Sequence, residues 1–297
     1  MKHTVPTSLG PVAVRVLKGT TPAAPPWVFL HGASGSWRTF SEFIDTRAPG
    51  RESDIVLIDL PGWGDSPGTL PFSIEEQGAA VRTVLRALNY RSWSIFGHSM
   101  GGVLALEIAA SEPGKTRAVV VLSPTALTAA AALGNPLMNP TMAPLVGMYA
   151  LMRFLRATRK AGPKLLGFAR RTGLLRLILA PFFAHPSRVR AQVFTDLARD
   201  ARPASFIAAA RALGQYDVGR WRGISCPTVL VRGEKDIFTP AAELRELTTL
   251  IAHARTVVLA GTGHFAHVED PNAIAALLAG QDARPGSPAP AQSEPRQ

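Results

Sequence analysis

Short, largely apolar runs alternate with helical patterns along most of the sequence. Six runs of three to five residues lie at residues 27–30, 55–58, 94–96, 118–122, 228–231 and 256–259. Such runs are typical of strands covered on both faces, and the helices between them supply the crossover connections of a parallel sheet. The pattern predicts an α/β fold with a mostly parallel, doubly wound sheet. Apolar and polar residues alternate at residues 12–17, which predicts an exposed strand before the first of these runs.

Helix start signals stand between these runs. Ser73 and Glu76 have the spacing of a capping box. Thr-Pro at residues 239–240 and Asp-Pro at residues 270–271 match an N-cap followed by the first helical position. The sequence therefore predicts helices beginning at these three places, the last of them continuing to about residue 278.

Two segments lack strand-like runs. Residues 126–219 contain only helical patterns broken by Gly and Pro, which predicts an all-helical cap inserted into a core domain formed by residues 1–125 and 220–280. Residues 281–297 are rich in Pro, Ala, Ser and Gln and lack apolar bulk, so we expect a disordered tail.

The positive charge of the chain is concentrated in the predicted cap. Lys and Arg number 32 against 21 Asp and Glu, a formal net charge of +11, and the cap contains 13 of the basic residues but three of the acidic ones. No nucleic-acid-binding motif accompanies this charge, and we expect no nucleic-acid partner. Weak contact with an anionic membrane through the basic cap stays open, as does the oligomeric state.

The cysteine count limits redox and metal chemistry. Cys226 is the single cysteine, which excludes an intrachain disulfide, and no Cys/His cluster has zinc spacing, so we expect neither metal nor cofactor. Residues 1–19 lack the unbroken apolar segment of a secretory signal, and no run is long enough to predict a transmembrane helix. We expect a cytoplasmic protein.

The clearest functional signal is G-x-S-x-G at residues 97–101, with Ser99 at its centre, between a predicted strand and an apolar helix at 103–110. This strand–turn–helix arrangement is the pattern of a nucleophile elbow. The turn is so tight that side chains at positions 97 and 101 would clash, which explains both glycines. The pattern predicts that Ser99 is exposed at the carboxyl end of its strand.

Together with three other stretches, the elbow resembles the α/β-hydrolase superfamily over about residues 10–280. The matching stretches are residues 28–32, 97–101, 231–236 and 261–265. The resemblance implies the chain order Ser, then Asp, then His for a catalytic triad. It also implies that a cap inserted at residues 126–219 stands at the family's usual insertion point.

An unassisted serine hydroxyl is a poor nucleophile, so a base and an orienting acid are required. Asp236 follows one predicted strand and His264 follows the next, so both are predicted to reach the sheet edge at Ser99. Glu234 is a competing acid, but it stands next to a lysine and is interpreted as a solvated loop charge. His267 is a competing base that is placed further into the approach to the last helix.

The resemblance also implies an oxyanion hole in the loop after residue 30. Its donors would be the backbone N–H groups of Ala33 and Met100. We expect His31 and Trp37 at the substrate pocket; a structural hydrogen bond for His31 and core packing for Trp37 are the alternatives. His98, beside the nucleophile, is expected to have a packing role.

Residues 148–160 predict a basic amphipathic helix in the cap, whose apolar stripe includes Met148 and Met152. We assign these two methionines to the roof of the pocket, which favours an apolar acyl or aromatic ligand.

These observations predict a cofactor-independent serine hydrolase that cleaves a carboxylic ester through an acyl-enzyme on Ser99. Within the same fold, the alternatives are a carbon–carbon bond hydrolase and a cofactor-free haloperoxidase or perhydrolase. The first is less favoured because the loops at residues 35–37 and 264–266 lack the Asn and the further Trp that such relatives usually carry. A ligand-sensing hydrolase-like receptor is the alternative of another class.

Overall fold

The computed structural model describes residues 1–282 except for 22–23, 48–51, 69–70, 136–139, 159–166, 168 and 170. Its centre is an eight-stranded sheet with the order β1-β2-β4-β3-β5-β6-β7-β8. β2 is antiparallel to both of its neighbours, whereas the six strands from β3 to β8 are parallel to one another. This confirms the predicted mostly parallel α/β sheet. The strands are β1 Lys2–Thr7, β2 Gly10–Leu17, β3 Trp27–Leu30, β4 Ile55–Ile58, β5 Trp93–His98, β6 Thr116–Leu122, β7 Thr228–Gly233 and β8 Arg255–Leu259.

Helices cover both faces of the sheet. Along β3, Val28 and Leu30 pack into one hydrophobic cluster, whereas Trp27 and Phe29 pack into the cluster on the opposite face. This two-sided burial explains why the central strands have continuous apolar sequences. The helices are α1 Ser41–Arg47, α2 Ile74–Ala87, α3 Met100–Ser111, α4 Leu127–Gly134, α5 Ala143–Ala157, α6 Leu174–Leu179, α7 Ala191–Arg199, α8 Pro203–Gln215, α9 Ala241–Leu250, α10 Ala266–Glu269 and α11 Pro271–Asp282.

The predicted exposure is wrong for one strand inside the sheet and for one strand at its edge. The stretch at 12–17 is not exposed, because β2 lies between β1 and β4 and buries Val12, Val14 and Val16. β8 is not covered on both faces, since it is the edge strand and Val258 is 55% exposed. β1 was not predicted from the sequence.

Two of the three helix starts agree with their start signals. The Ser73 hydroxyl accepts from the Glu76 N–H at 3.1 Å, and the Glu76 carboxylate accepts from the Ser73 N–H at 2.7 Å, which confirms the capping box. Asp270 accepts from the Ala273 N–H at 2.9 Å at the start of α11. The N-cap predicted at Thr239 is wrong, because Pro240 is the N-cap of α9 and the Thr239 hydroxyl donates to a carbonyl oxygen after β6.

The cap segment, residues 126–219, contains α4 to α8 and no strand in its described part. Its division from a core domain remains a prediction. The predicted tail starts too early, because α11 includes Gln281 and Asp282, and its remaining residues lie outside the described chain. Among the described residues, no helix is long and apolar enough to cross a bilayer.

Candidate active site

Ser99 stands at the turn between β5 and α3 in a strained backbone conformation. Its φ is +53° and its ψ is −119°, which is a rare combination for a residue with a side chain. A Cβ on Gly97 would lie 2.4 Å from the Gly101 carbonyl oxygen, and a Cβ on Gly101 would lie 2.2 Å from the Leu30 carbonyl oxygen. Only glycine fits at either position, so the turn presents Ser99 beyond the end of β5.

The loops after β7 and β8 bring Asp236 and His264 together. The His264 Nδ1–H donates to the Asp236 carboxylate, at 3.0 Å from Oδ2 and 3.1 Å from Oδ1, and both side chains are buried. The N–H groups of Phe238 and Thr239 also donate to Oδ1, at 2.8 and 3.1 Å. This arrangement leaves Nε2 of His264 as the ring nitrogen that the carboxylate does not engage.

Asp236 is held in its charged form. Burial alone would raise the pKa of this carboxyl, but the neighbouring His264 and the donated hydrogen bonds outweigh burial and lower the pKa below its ordinary value. A permanently ionised carboxylate fixes the imidazole tautomer and can stabilise an imidazolium.

The Ser99 hydroxyl bonds to Thr125 rather than to His264 in this structure. The Ser99 Oγ to Thr125 Oγ1 distance is 3.2 Å, and Thr125 lies in the loop after β6. Ser99, His264 and Thr125 all line one cavity. Sequence reasoning missed Thr125, although its place directly after a predicted strand was an available signal.

The competing acid, Glu234, and the competing base, His267, do not reach the cavity that contains Ser99. Glu234 accepts from the Gly261 N–H at 2.9 Å, and its side chain is half exposed. His267 is buried between aromatic rings, with its ring centroid 5.3 Å from that of Phe40. Burial is the main cause that lowers the pKa of its imidazole to about 3, and the nearby His264 is the second cause. His267 lies in α10 and does not line the cavity.

The backbone of residues 32–33 passes close to the serine. A Cβ on Gly32 would meet the Ser99 Cβ at 3.0 Å, so the loop can approach only because this residue is glycine. Ala33 lines the cavity, and Met100 is the first residue of α3, where helical N–H groups lack intrahelical partners. Both residues thus lie next to Ser99 in space or in sequence.

Neither His31 nor Trp37 lines the cavity, so the prediction that they belong to the pocket is wrong. His31 is buried, with Nδ1 2.8 Å from the Gly32 carbonyl oxygen and Nε2 accepting from the Leu60 N–H at 3.0 Å. The Trp37 ring packs beneath the Arg15 guanidinium, at 4.0 Å.

His98 contacts the base directly. Its Nε2 lies 3.0 Å from the His264 carbonyl oxygen, and its ring centroid is 4.9 Å from that of His264. Burial, reinforced by His267 and His264, holds the pKa of His98 well below its ordinary value, so this ring is neutral and can donate from one nitrogen.

The shared cavity has a volume of about 440 Å³ and walls that are almost wholly apolar. Met148 and Met152 of α5 lie on its wall, as do Phe182 and Phe238, which stack at 4.2 Å between ring centroids. Among the described residues, no Asp, Glu, Lys or Arg lines it. Its polar lining residues are Ser34, His98, Ser99, Thr125 and His264.

Metal-binding clusters are absent from the described part of the chain, where no group of three or more His, Cys, Asp or Glu residues could hold an ion. Cys226 is buried, and burial raises the pKa of its thiol.

A family model described as the alpha/beta hydrolase family matches residues 27–277. The chain belongs to this family. The predicted fold and the prediction of a hydrolase of this family are therefore confirmed.

Curated relatives of the chain are named as hydrolases. A pimeloyl-[acyl-carrier protein] methyl ester esterase of Neisseria meningitidis serogroup C is 27% identical over 256 residues, covering 84% of this chain and 90% of the relative. A putative carbamate hydrolase RutD of Pseudomonas savastanoi pv. phaseolicola is 26% identical over 251 residues, covering 84% and 90%.

The fold is also similar to that of solved structures. An esterase from Exiguobacterium antarcticum has a TM-score of 0.71 at 17% identity, covering 95% of this chain and 100% of that one. An epoxide hydrolase, CorEH, has a TM-score of 0.68 at 16% identity, covering 94% and 96%. The same fold thus accommodates different reactions.

Proposed function

We propose that the protein is a serine hydrolase that cleaves carboxylic esters carrying an apolar acyl or aromatic group. The observation that carries this proposal is the convergence of Ser99 and the buried Asp236–His264 pair on one cavity whose described lining is almost wholly apolar. The relatives named as a methyl ester esterase and a carbamate hydrolase support acyl chemistry of this kind. We place the reaction in the cytoplasm, since a single buried cysteine suits a reducing compartment.

Catalysis begins when the Ser99 hydroxyl turns from Thr125 to His264. Nε2 of His264 takes the hydroxyl proton as Oγ attacks the ester carbonyl carbon. The negative charge that develops on the carbonyl oxygen is stabilised by the N–H groups of Ala33 and Met100, with the N-terminus of α3 contributing its dipole. Asp236 stays ionised and stabilises the imidazolium.

The intermediate collapses to an acyl-enzyme. The C–O bond to the leaving group breaks, and the His264 imidazolium returns its proton to the departing alcohol. Water then attacks the acyl carbon while His264 again takes a proton, and the second collapse releases the carboxylic acid and restores the Ser99 hydroxyl. No metal or other cofactor takes part in these steps.

The cavity wall sets the substrate class. The described lining residues include no charged side chain that could pair with a carboxylate or ammonium on the acyl group, and burying an unpaired charge is costly. Apolar acyl chains and aromatic rings gain free energy from the same burial. We therefore expect kcat/KM to rise with acyl length until the cavity of about 440 Å³ is filled.

A chain-length series of p-nitrophenyl esters tests this proposal. Wild type should complete many turnovers per molecule, with kcat/KM increasing from acetate to a medium-chain ester. Ser99→Ala should lose activity by several orders of magnitude, whereas Ser94→Ala, on the same strand, should not. One slow turnover per molecule would instead identify a ligand sensor, and a flat series for wild type would contradict the assigned acyl site.

A further inference from the structure

Exposed large apolar side chains are concentrated on two helices of the cap segment. Phe154 of α5 is 57% exposed, and on α6 Leu174 is 43%, Leu177 71% and Ile178 39% exposed. Only three other large apolar side chains of the described residues are exposed. We call these four residues the cap mouth. Single exposed apolar residues are normal, but a cluster requires an explanation.

The cap mouth is continuous with the cavity that contains Ser99. Phe154, Leu174 and Ile178 line that cavity while remaining exposed to solvent, so they form its opening. Leu177 is exposed beside them and does not line the cavity. The apolar wall therefore extends outward to the protein surface.

The same part of the chain is strongly basic. Residues 126–195 include ten Lys and Arg and no Asp or Glu. The exposed arginines among the described residues of this stretch are Arg153, Arg156, Arg171, Arg176, Arg188 and Arg190, of which Arg190 pairs with Glu42 and Asp45. A groove of about 480 Å³ beside α5 is lined by Arg153, Arg156 and a third arginine, Arg211, and by no carboxylate of the described residues.

A face that serves only solubility would combine charges of both signs and would not present an apolar cluster. An anionic bilayer offers apolar material for the cap mouth and negatively charged headgroups for the exposed arginines of the same two helices, α5 and α6. We propose that the cap mouth docks reversibly on anionic lipid surfaces, so that apolar molecules dissolved in the bilayer reach the cavity directly. Docking does not depend on the proposed ester chemistry.

Cosedimentation with vesicles tests the docking. Inactive Ser99→Ala protein should pellet with phosphatidylglycerol vesicles and not with phosphatidylcholine vesicles, and added salt should release it because exposed charges are screened. Arg153→Glu with Arg156→Glu should weaken the binding by at least about tenfold, since each basic residue near the surface contributes to attraction. Arg245→Glu, in α9 of the predicted core, is the charge control and should bind normally.

Leu177→Ser tests the apolar component. It should weaken binding about fivefold by removing an inserted side chain, whereas Val258→Ser, at another exposed position on β8, should have no effect. Equal recovery of the protein in the supernatant with both kinds of vesicle would overturn the proposal. A lipid-free dimer that Leu177→Ser dissociates would also overturn it, because a second copy would then cover the cap mouth. Ester turnover in solution is measured separately, so failure of docking is distinguishable from failure of the proposed catalysis.

Discussion

At the residue scale, the candidate site depends on two glycine positions where the backbone packs too closely for any side chain. Gly97 and Gly101 are packed against backbone oxygen atoms, and backbone cannot move aside as a flexible side chain can. These constraints are local in sequence, which is why the elbow could be predicted before the structure was known. Asp236 and His264 were predictable because each follows a recognisable strand.

Other residues of the site could not be predicted in this way. Phe182 and Phe238 meet at the cavity from segments far apart in the chain, and nothing local indicates that they stack. Trp37 follows the loop that contains Ala33, but sequence proximity does not determine the direction of a side chain.

Gly101→Ala should be severely destabilising. The added Cβ would lie 2.2 Å from the Leu30 carbonyl oxygen, so β3 and α3 would have to separate. We expect the free energy of unfolding to fall by at least about 2 kcal/mol, measured by urea denaturation. Gly114→Ala, where a Cβ has nothing within 4 Å, is the matched control, and an equal loss in both variants would exclude the elbow contact as the cause.

Asp236→Asn should leave the protein folded but slow ester turnover by about 100- to 10,000-fold, because an amide can hold the imidazole in the wrong tautomer. Glu234→Gln should change turnover little, since this carboxylate bonds the Gly261 N–H at the surface. Steady-state kinetics on one p-nitrophenyl ester compares the two. A larger loss in Glu234→Gln would contradict the choice of acid.

At the element scale, a buried carboxylate anchors the first helix of the cap segment. Glu243 of α9 accepts from the N–H groups of Ala126, Leu127 and Thr128 at 3.1, 2.9 and 2.8 Å. These N–H groups lie at the N-terminus of α4, directly after Thr125, where backbone donors have no partner within the helix. The anchor therefore fixes the segment that connects the candidate site to the cap.

Glu243→Ala should lower the free energy of unfolding by about 1–3 kcal/mol, because buried backbone donors lose their acceptor. Glu246→Ala, at an exposed position of the same helix, should change it by less than about 0.5 kcal/mol. Chemical denaturation measures both. Equal effects of the two substitutions would mean that the helix anchor contributes little.

Sequence reasoning gave the exact bounds of β3 and β4, because a fully buried strand is apolar at every position. It was wrong about β2 and β8, because whether a strand lies inside the sheet or at its edge depends on the pairing of distant segments. Anchors such as Glu243 were not predicted for the same reason, since the helix that it caps is 115 residues away.

At the scale of the whole molecule, three buried histidines link folding to pH. Burial lowers the pKa of His31, His98 and His267, the last to about 3. In the unfolded chain, histidine takes up a proton near pH 6.5, whereas these three stay neutral in the folded protein until the pH is lower. The unfolded state therefore binds more protons than the folded state below about pH 6.5, and the free energy of unfolding should decrease as the pH falls below this value.

His267→Phe should reduce this acid sensitivity, because an aromatic ring without a titrating group replaces one packed against Phe40 and Phe96. Between about pH 7.5 and pH 5, the variant should lose about 2 kcal/mol less stability than wild type. Urea denaturation at both pH values measures the difference. His3→Phe, at a partly exposed strand position, is the control, and an unchanged pH dependence in His267→Phe would contradict the role of His267.

The central claim is that Ser99 becomes acylated. Fluorophosphonate labelling followed by intact-mass measurement and peptide mapping tests it most directly, because the reagent bonds covalently to an activated serine. Wild type should gain one phosphonyl group per chain, located on the peptide that contains Ser99, and Ser99→Ala should gain none. Labelling that persists in Ser99→Ala, or that maps to another residue of wild type, would contradict the account.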